Sequence, residues 1–296
     1  MLHELLTPDD LRHLSRLELV ARQQVEGFCT GLHRSPHKGF SVEFRQHRPY
    51  VVGDEIKRLD WKVFGKTDRF YIREYEDETN LRAVILLDAS GSMAYGSGDI
   101  TKHRYATKLA AYLAYLFIQQ ADAVGLAIFD HDIREHIPPR SRASHLRPLL
   151  DTLARCQPGG ETSIANVLHA LAAKLPRRSM IVMISDCFDD TARLLPALAH
   201  LRHGHHEVLV FQVWDRAELE FPFTHWTKFE SLEQDMDKRL VDPSHLRRAY
   251  LERLAQFRQD LQDGCRRHRI DLIALVTDSE PAAALASYMG MRRRYR

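Results

Sequence analysis

Long hydrophobic runs are missing from this chain. Its longest apolar-rich stretch, Leu109 to Ile118, is about ten residues, against the roughly twenty that a bilayer-crossing helix needs. No membrane span is expected. Cysteine is scarce too: Cys29, Cys156, Cys187 and Cys265 stand far apart and form no Cys-x-x-Cys pair. That spacing argues against a zinc ribbon or a disulfide framework and fits a reducing cytoplasm. The opening Met1 to Pro8 lacks a basic stretch followed by an apolar one, so it does not read as a secretory signal, and the expected location is cytoplasmic. Charge of one sign is lacking as well, with a formal net charge of +2 at 28% charged residues, which nominates neither nucleic acid nor a membrane surface as partner. No Gly-x-x-x-x-Gly-Lys-Ser/Thr loop occurs, so any ATPase activity would belong to a partner. Repeats and low-complexity tracts are absent.

What is present is a globular composition, 44% hydrophobic over 296 residues, enough for a sizeable core. From Leu81 onward, strand and helix signals alternate. Apolar Ala83 to Leu87, helical Tyr105 to Gln119 and apolar Ala123 to Phe129 make a βαβ opening. Helical Ser163 to Leu175, apolar Met180 to Ile184, helical Thr191 to Leu201 and apolar Val208 to Val213 continue it. This pattern predicts an α/β fold, a doubly wound and mostly parallel sheet with helices on both faces. Ile133 to Ile137, followed by Pro138 and Pro139, suits an antiparallel edge strand. Past Trp214, Phe221 to Phe223 and Trp226 to Glu230 read as a hairpin laid over the sheet. A helix over Pro243 to His268, a strand over Ile270 to Val276 and a helix over Pro281 to Met289 close the chain.

The first 80 residues lie outside that alternation and are read as a separate extension, leaving 81–296 as the main domain. A helix is expected from Thr7 to about Leu32, with short strands at Phe40 to Phe44 and Phe70 to Tyr75 around an irregular polar centre.

Asp88 follows the first buried strand directly, at the carboxyl edge where doubly wound sheets place their ligands. Ser90 and Ser92 add two hydroxyls at alternate positions, and Gly91 lets the backbone turn between them. Oxygen donors of this kind suit hard cations, Mg²⁺ first, with Mn²⁺ and Ca²⁺ also able to accept them. The same edge logic nominates Thr162, in Pro158-Gly159-Gly160-Glu161-Thr162, and Asp186, after the strand ending at Ile184.

Asp-x-Ser-x-Ser, a distant Thr and a later Asp together resemble the metal-ion-dependent adhesion site of von Willebrand factor A domains. Asp88, Ser90, Ser92, Thr162 and Asp186 match it one by one. The resemblance implies direct ligation by the serines, direct or water-mediated roles for the aspartates, and a partner's acidic side chain completing the shell. A second resemblance is carried by Gly39 to Phe44, Arg48-Pro49-Tyr50-Val51-Val52-Gly53-Asp54-Glu55-Ile56-Lys57-Arg58-Leu59-Asp60-Trp61 and Arg73-Glu74-Tyr75-Glu76. Running on into the Asp88 motif, it is similar to the "domain of unknown function fifty-eight" family over roughly Gly39 to Asp186. That likeness implies a non-enzymatic adaptor working with a MoxR-type AAA+ ATPase in the assembly or maturation of client proteins. The client and the oligomeric state stay open. In the Arg48-to-Trp61 stretch, Arg45, Arg48, Lys57 and Arg58 interleave with Asp54, Glu55 and Asp60, and Tyr50 and Trp61 read as anchors. That reads first as a network pinning the extension, second as a docking surface.

Two other functions stay open: a metal-dependent hydrolase using the same ion, and a scaffold whose site is never loaded. Against the first, Asp-Ala-Ser-Gly-Ser is not the Gly-x-Ser-x-Gly elbow and no base stands out. The histidines His203, His205 and His206 fall at the opposite edge of the sheet and read as a solvated loop. Cys187 reads as a buried small residue. The basic Arg292 to Arg296 reads as a solvated tail.

Overall fold

The computed structural model describes residues 5–7, 10–11, 42–50, 59–77, 81–175, 178–223, 227–230, 238–241 and 243–286. It divides into two compact units, Val25–Asn80 on one side and Met1–Gln24 with Leu81–Arg296 on the other.

In the larger unit, strands β3 (Arg82–Asp88), β4 (Ala123–Phe129), β6 (Met180–Ser185) and β7 (Glu207–Trp214) are buried along nearly their whole length. Their apolar residues run on without alternating because helices cover both faces of a parallel sheet. With β5 (Ile133–Arg140) and β10 (Asp271–Val276) they form one sheet in the order β10-β7-β6-β3-β4-β5. Only β5 is antiparallel, paired to β4 at the edge. The sheet is therefore α/β and mostly parallel, as its sequence pattern predicts. From β3 the chain moves to β4 and β5 on one side, then returns to β6 and proceeds to β7 and β10 on the other. The order thus reverses between the adjacent strands β3 and β6, and the crevice outside their carboxyl ends is where such sheets bind ligands.

Helix α2 (Lys102–Gln119) makes the β3-to-β4 crossover and is buried on almost every side, with Tyr105, Leu109 and Tyr112 among the largest enclosed side chains. Thr101 caps it by accepting from the Arg104 amide at 3.2 Å. On the other face, α4 (Ile164–Ala172) and α5 (Thr191–His203) pack Ile164, Leu168, Leu194 and Leu198 against Val84, Leu86, Ile181 and Met183. Each such side chain contributes about 1.5–3 kcal/mol when fully buried. Helix α3 (Leu146–Arg155), which the sequence reading passes over, buries Leu149, Leu150 and Leu153. Strand β5 continues through Pro138 and Pro139 to Arg140, past the expected end at Ile137.

Beyond β7 come the short α6 (Arg216–Glu220) and the hairpin of β8 (Thr227–Glu230) with β9 (Lys238–Val241). The expected pairing of Phe221 to Phe223 does not form. Phe221 instead ends α6 in the left-handed region (φ 47°) and packs its ring 4.9 Å from Tyr250 on α7 (Pro243–Arg267). Residues 281–286 are helical, and the remainder of that expected helix lies outside the described residues, as does the Arg292-to-Arg296 tail. At the other end, Thr7 and Asp10 cap each other, amide to side chain, at 2.8 and 3.1 Å, the start the sequence predicts. The rest of that helix lies outside the described residues.

In the smaller unit, β1 (Val42–Pro49) pairs antiparallel with β2 (Tyr71–Asp77) across a register break between Phe44 and Gln46. Within the stretch expected to be irregular, residues 61–67 form α1 (Trp61–Thr67), with Asp60 accepting the Val63 amide at 3.2 Å, while 51–58 lie outside the described residues. Phe64 stacks on Phe70 at 4.5 Å, and Tyr50 meets the edge of Phe70. Trp61 is 59% exposed, so it is no buried anchor. Arg48 lies on β1, while Asp54, Glu55, Lys57 and Arg58 lie outside the described residues.

Candidate metal centre

Asp88 ends β3 with no exposure. One of its oxygens accepts the Ser90 amide at 2.9 Å and the other the Ser185 hydroxyl at 2.6 Å. The chain then enters a 3-10 turn, Gly91–Ala94, that sets the Ser90 and Ser92 hydroxyls 3.1 Å apart. Asp186, also fully buried, follows β6 on the neighbouring strand. Cys187 holds the next turn in the left-handed region (φ 62°), its amide donating to Ser185 Oγ at 2.8 Å. Burial first, and the charge of Asp186 second, push the Asp88 carboxyl up to about 7, against the pull of the Ser185 and Ser90 hydrogen bonds. Two carboxylates thus share one buried corner, an arrangement that a cation stabilises.

The loop of Thr162 is clasped to this corner through its backbone. Gly91 donates to the Gly160 carbonyl and Gly159 to the Ala89 carbonyl, both at 2.9 Å. Gly160 sits at φ 87°, a conformation that strains any residue with a Cβ, and a Cβ there would also press on Asp130 Oδ2 at 3.0 Å. Arg134 ties the loop from outside, bonding Asp130 and the carbonyls of Gln157 and Gly159. Asp88, Ser90 and Ser92 are therefore joined by direct bonds, Asp186 joins them through its charge, and Thr162, half-buried, is carried on the loop clasped to them.

The donor set fits a hard dication. Neighbouring ligands on an octahedron with oxygens at 2.0–2.1 Å lie about 2.9 Å apart, near the observed 3.1 Å between the two serine hydroxyls. A positive ion beside Asp88 would also oppose the rise in its pKa. Among the described residues, no three His, Cys, Asp or Glu side chains gather into a metal-binding group, so the hydroxyls are indispensable to any such site. Asp88, Ser90, Ser92 and Asp186 would hold the ion, with Thr162 on the adjoining loop.

Sequence reasoning missed the residue that changes the electrostatics most. Lys102, at the start of α2 and fully buried, places its ammonium 2.7 Å from Asp186 and 2.6 Å from Glu218 of α6. Burial alone would lower its pKa, yet the two carboxylates outweigh that and raise it, so the lysine is a fixed cation. Glu218 in turn accepts the Asp215 amide at 2.8 Å and closes a capping box with it. Asp130 and Asp215 were legible by the edge logic that found Asp88 and Asp186, since each follows a buried parallel strand. They serve neighbouring loops instead: Asp130 holds Arg134, and Asp215 accepts the Ser97 amide and hydroxyl at 2.9 and 2.5 Å. At the opposite edge, His206 is buried and accepts the Ser179 amide at 3.2 Å, so this part of the histidine cluster is a structural bond and not a solvated loop.

Among curated proteins, uncharacterized proteins of Mycobacterium bovis and Mycobacterium tuberculosis are each 27% identical over 285 residues, covering 95% of this chain and 89% of their own. Solved structures similar to it include an aerotolerance-related membrane protein from Bacteroides fragilis (17% identity, TM-score 0.47, 71% of this chain and 99% of that one). The conserved hypothetical protein BatB from Bacteroides thetaiotaomicron (16%, TM-score 0.44, 71% and 99%) is another, as is the VWA domain of SpRpn10 (9%, TM-score 0.41, 70% and 94%). The family model described as "Protein of unknown function DUF58" matches residues 46–260. That match spans well over half of the chain and takes in both Asp88 and Asp186, and the chain belongs to the DUF58 family.

Proposed function

We propose that this protein is a non-enzymatic adaptor that captures a partner through a dication, Mg²⁺ in the first instance, held by Asp88, Ser90, Ser92, Thr162 and Asp186. The supporting observation is the buried corner at the strand-order reversal, where two carboxylates and two hydroxyls 3.1 Å apart face the carboxyl edge of β3 and β6. An ion held partly by neutral hydroxyls keeps positive charge for an incoming Glu or Asp. The partner is a MoxR-type AAA+ ATPase or its client, in keeping with the family resemblance, and the working location is the cytoplasm.

Calorimetric titration of Mg²⁺ and Mn²⁺ tests the ion. The Ser90→Ala, Ser92→Ala double variant is expected to lose binding while its circular dichroism stays that of the parent. Pull-down of a MoxR-type ATPase is expected to weaken in the same variant and in chelator. Equal capture with and without chelator would make the protein a scaffold with an unloaded site. Phosphoester turnover lost on Asp88→Ala would make it a hydrolase.

A further inference from the structure

Lys102 is the feature that the metal-binding reading leaves unused. Its ammonium is enclosed and bonded to Asp186 and Glu218, and it lies 4.9 Å from the ring centre of Phe188. Both oxygens of Asp186 are already engaged, one by Lys102 at 2.7 Å and one by the Phe188 amide at 3.1 Å. A dication at this corner must therefore share Asp186 with a fixed positive charge.

Resting on that reading, we propose that Lys102 is a specificity-determining residue, which lowers the affinity for the ion alone and raises the affinity of the loaded site for a carboxylate. The reasoning is a charge difference between two forms of the same site. With Lys102, the corner is one unit more positive than with a neutral side chain of equal length, and everything Glu218 adds is common to both. One extra positive charge in a buried, weakly screened place repels a dication and attracts an acid. The lysine thus weakens the first step, uptake of the bare ion, and strengthens the second, capture of the partner acid by the loaded site.

Mn²⁺ titrations of the parent and Lys102→Met, each with and without sodium acetate as the carboxylate probe, test this. The variant is expected to bind Mn²⁺ about tenfold or more tightly, and a fixed concentration of acetate, which tightens Mn²⁺ binding in the parent, is expected to tighten it less in the variant. Should the single variant misfold, Glu218→Gln is compared with Lys102→Met plus Glu218→Gln, a pair that again differs by the lysine charge alone. A folded variant with unchanged or weaker Mn²⁺ affinity overturns the role of Lys102, and the metal reading survives if the parent still binds through Ser90 and Ser92. No uptake by either form overturns both. Uptake by the variant alone upholds Lys102 as the determinant and removes the ion from the natural chain.

Discussion

Asp122, at the end of the turn after α2, accepts the Leu81 amide at 3.1 Å through one oxygen, while the other is buried without a hydrogen-bond partner. Burial pushes its pKa up to about 7, the Leu81 bond opposing. A carboxyl raised in this way favours the folded state fully only below its unfolded pKa near 4, and that contribution is lost as pH rises through about 7. Asp122→Asn carries no proton to lose, so the variant is expected to gain on the parent as pH rises. Relative to acid pH, the gain is about 1.5 kcal/mol at pH 5 and up to about 4 kcal/mol at pH 8, since each tenfold change in acidity corresponds to about 1.4 kcal/mol, and denaturant unfolding at the two pH values measures it. The site residues differ in how readable they were. Asp88 and Asp186 each follow an uninterrupted apolar run, so their place at the sheet edge could be deduced. Nothing in Ile100-Thr101-Lys102-His103 signals that the lysine is enclosed, because its burial depends on carboxylates 84 and 116 positions away.

At the scale of elements, α5 and α7 meet where Gly264 faces Leu195. A Cβ on Gly264 would fall 2.4 Å from Leu195 Cδ2 and 2.9 Å from its Cγ. Gly264→Ala sets two effects against each other: helix propensity gains about 1 kcal/mol, and overpacking of a tight contact costs about 1–3 kcal/mol. The clash reaches the branch point of Leu195 and not only its tip, so packing is expected to win. Thermal unfolding should show a net loss of about 1 kcal/mol, and a raised melting temperature would mean that α7 slides freely over α5. Periodicity revealed the long elements because burial on both sheet faces leaves a run of apolar residues. It missed α3, whose four leucines at 146, 149, 150 and 153 have helical spacing but sit behind Pro148. It also ended β5 too early, since proline is tolerated on an edge strand where the pattern reads a stop. For α1 the cue was Asp60 as a cap, hidden among charges of both signs.

At the scale of the whole molecule, the first residues belong with the distant core and not with the segment that follows them. Tyr112, buried on α2, donates to Asp10 at 2.5 Å, and Lys108 lies 3.3 Å from the same carboxylate. The reading of 1–80 as a single extension therefore joins two parts that cluster separately, Met1–Gln24 and Val25–Asn80. Tyr112→Phe is expected to cost about 1.5–3 kcal/mol, as for a hydrogen bond to a charged group, and to speed limited proteolysis near the N-terminus. An unchanged cleavage pattern would show that the segment is held by other means.

The outer margin of the sheet bears on how copies of this chain meet in a crowded solution. Gly125 of β4 leaves room for the β5 backbone, with Ile137 O 2.7 Å and the Pro139 ring 2.9 Å from where a Cβ would stand. Pro138 and Pro139 are consecutive, so whichever of them faces outward offers no amide hydrogen to a passing strand. A foreign β-segment finds that rim missing a donor in mid-strand, and self-association by sheet extension is discouraged there.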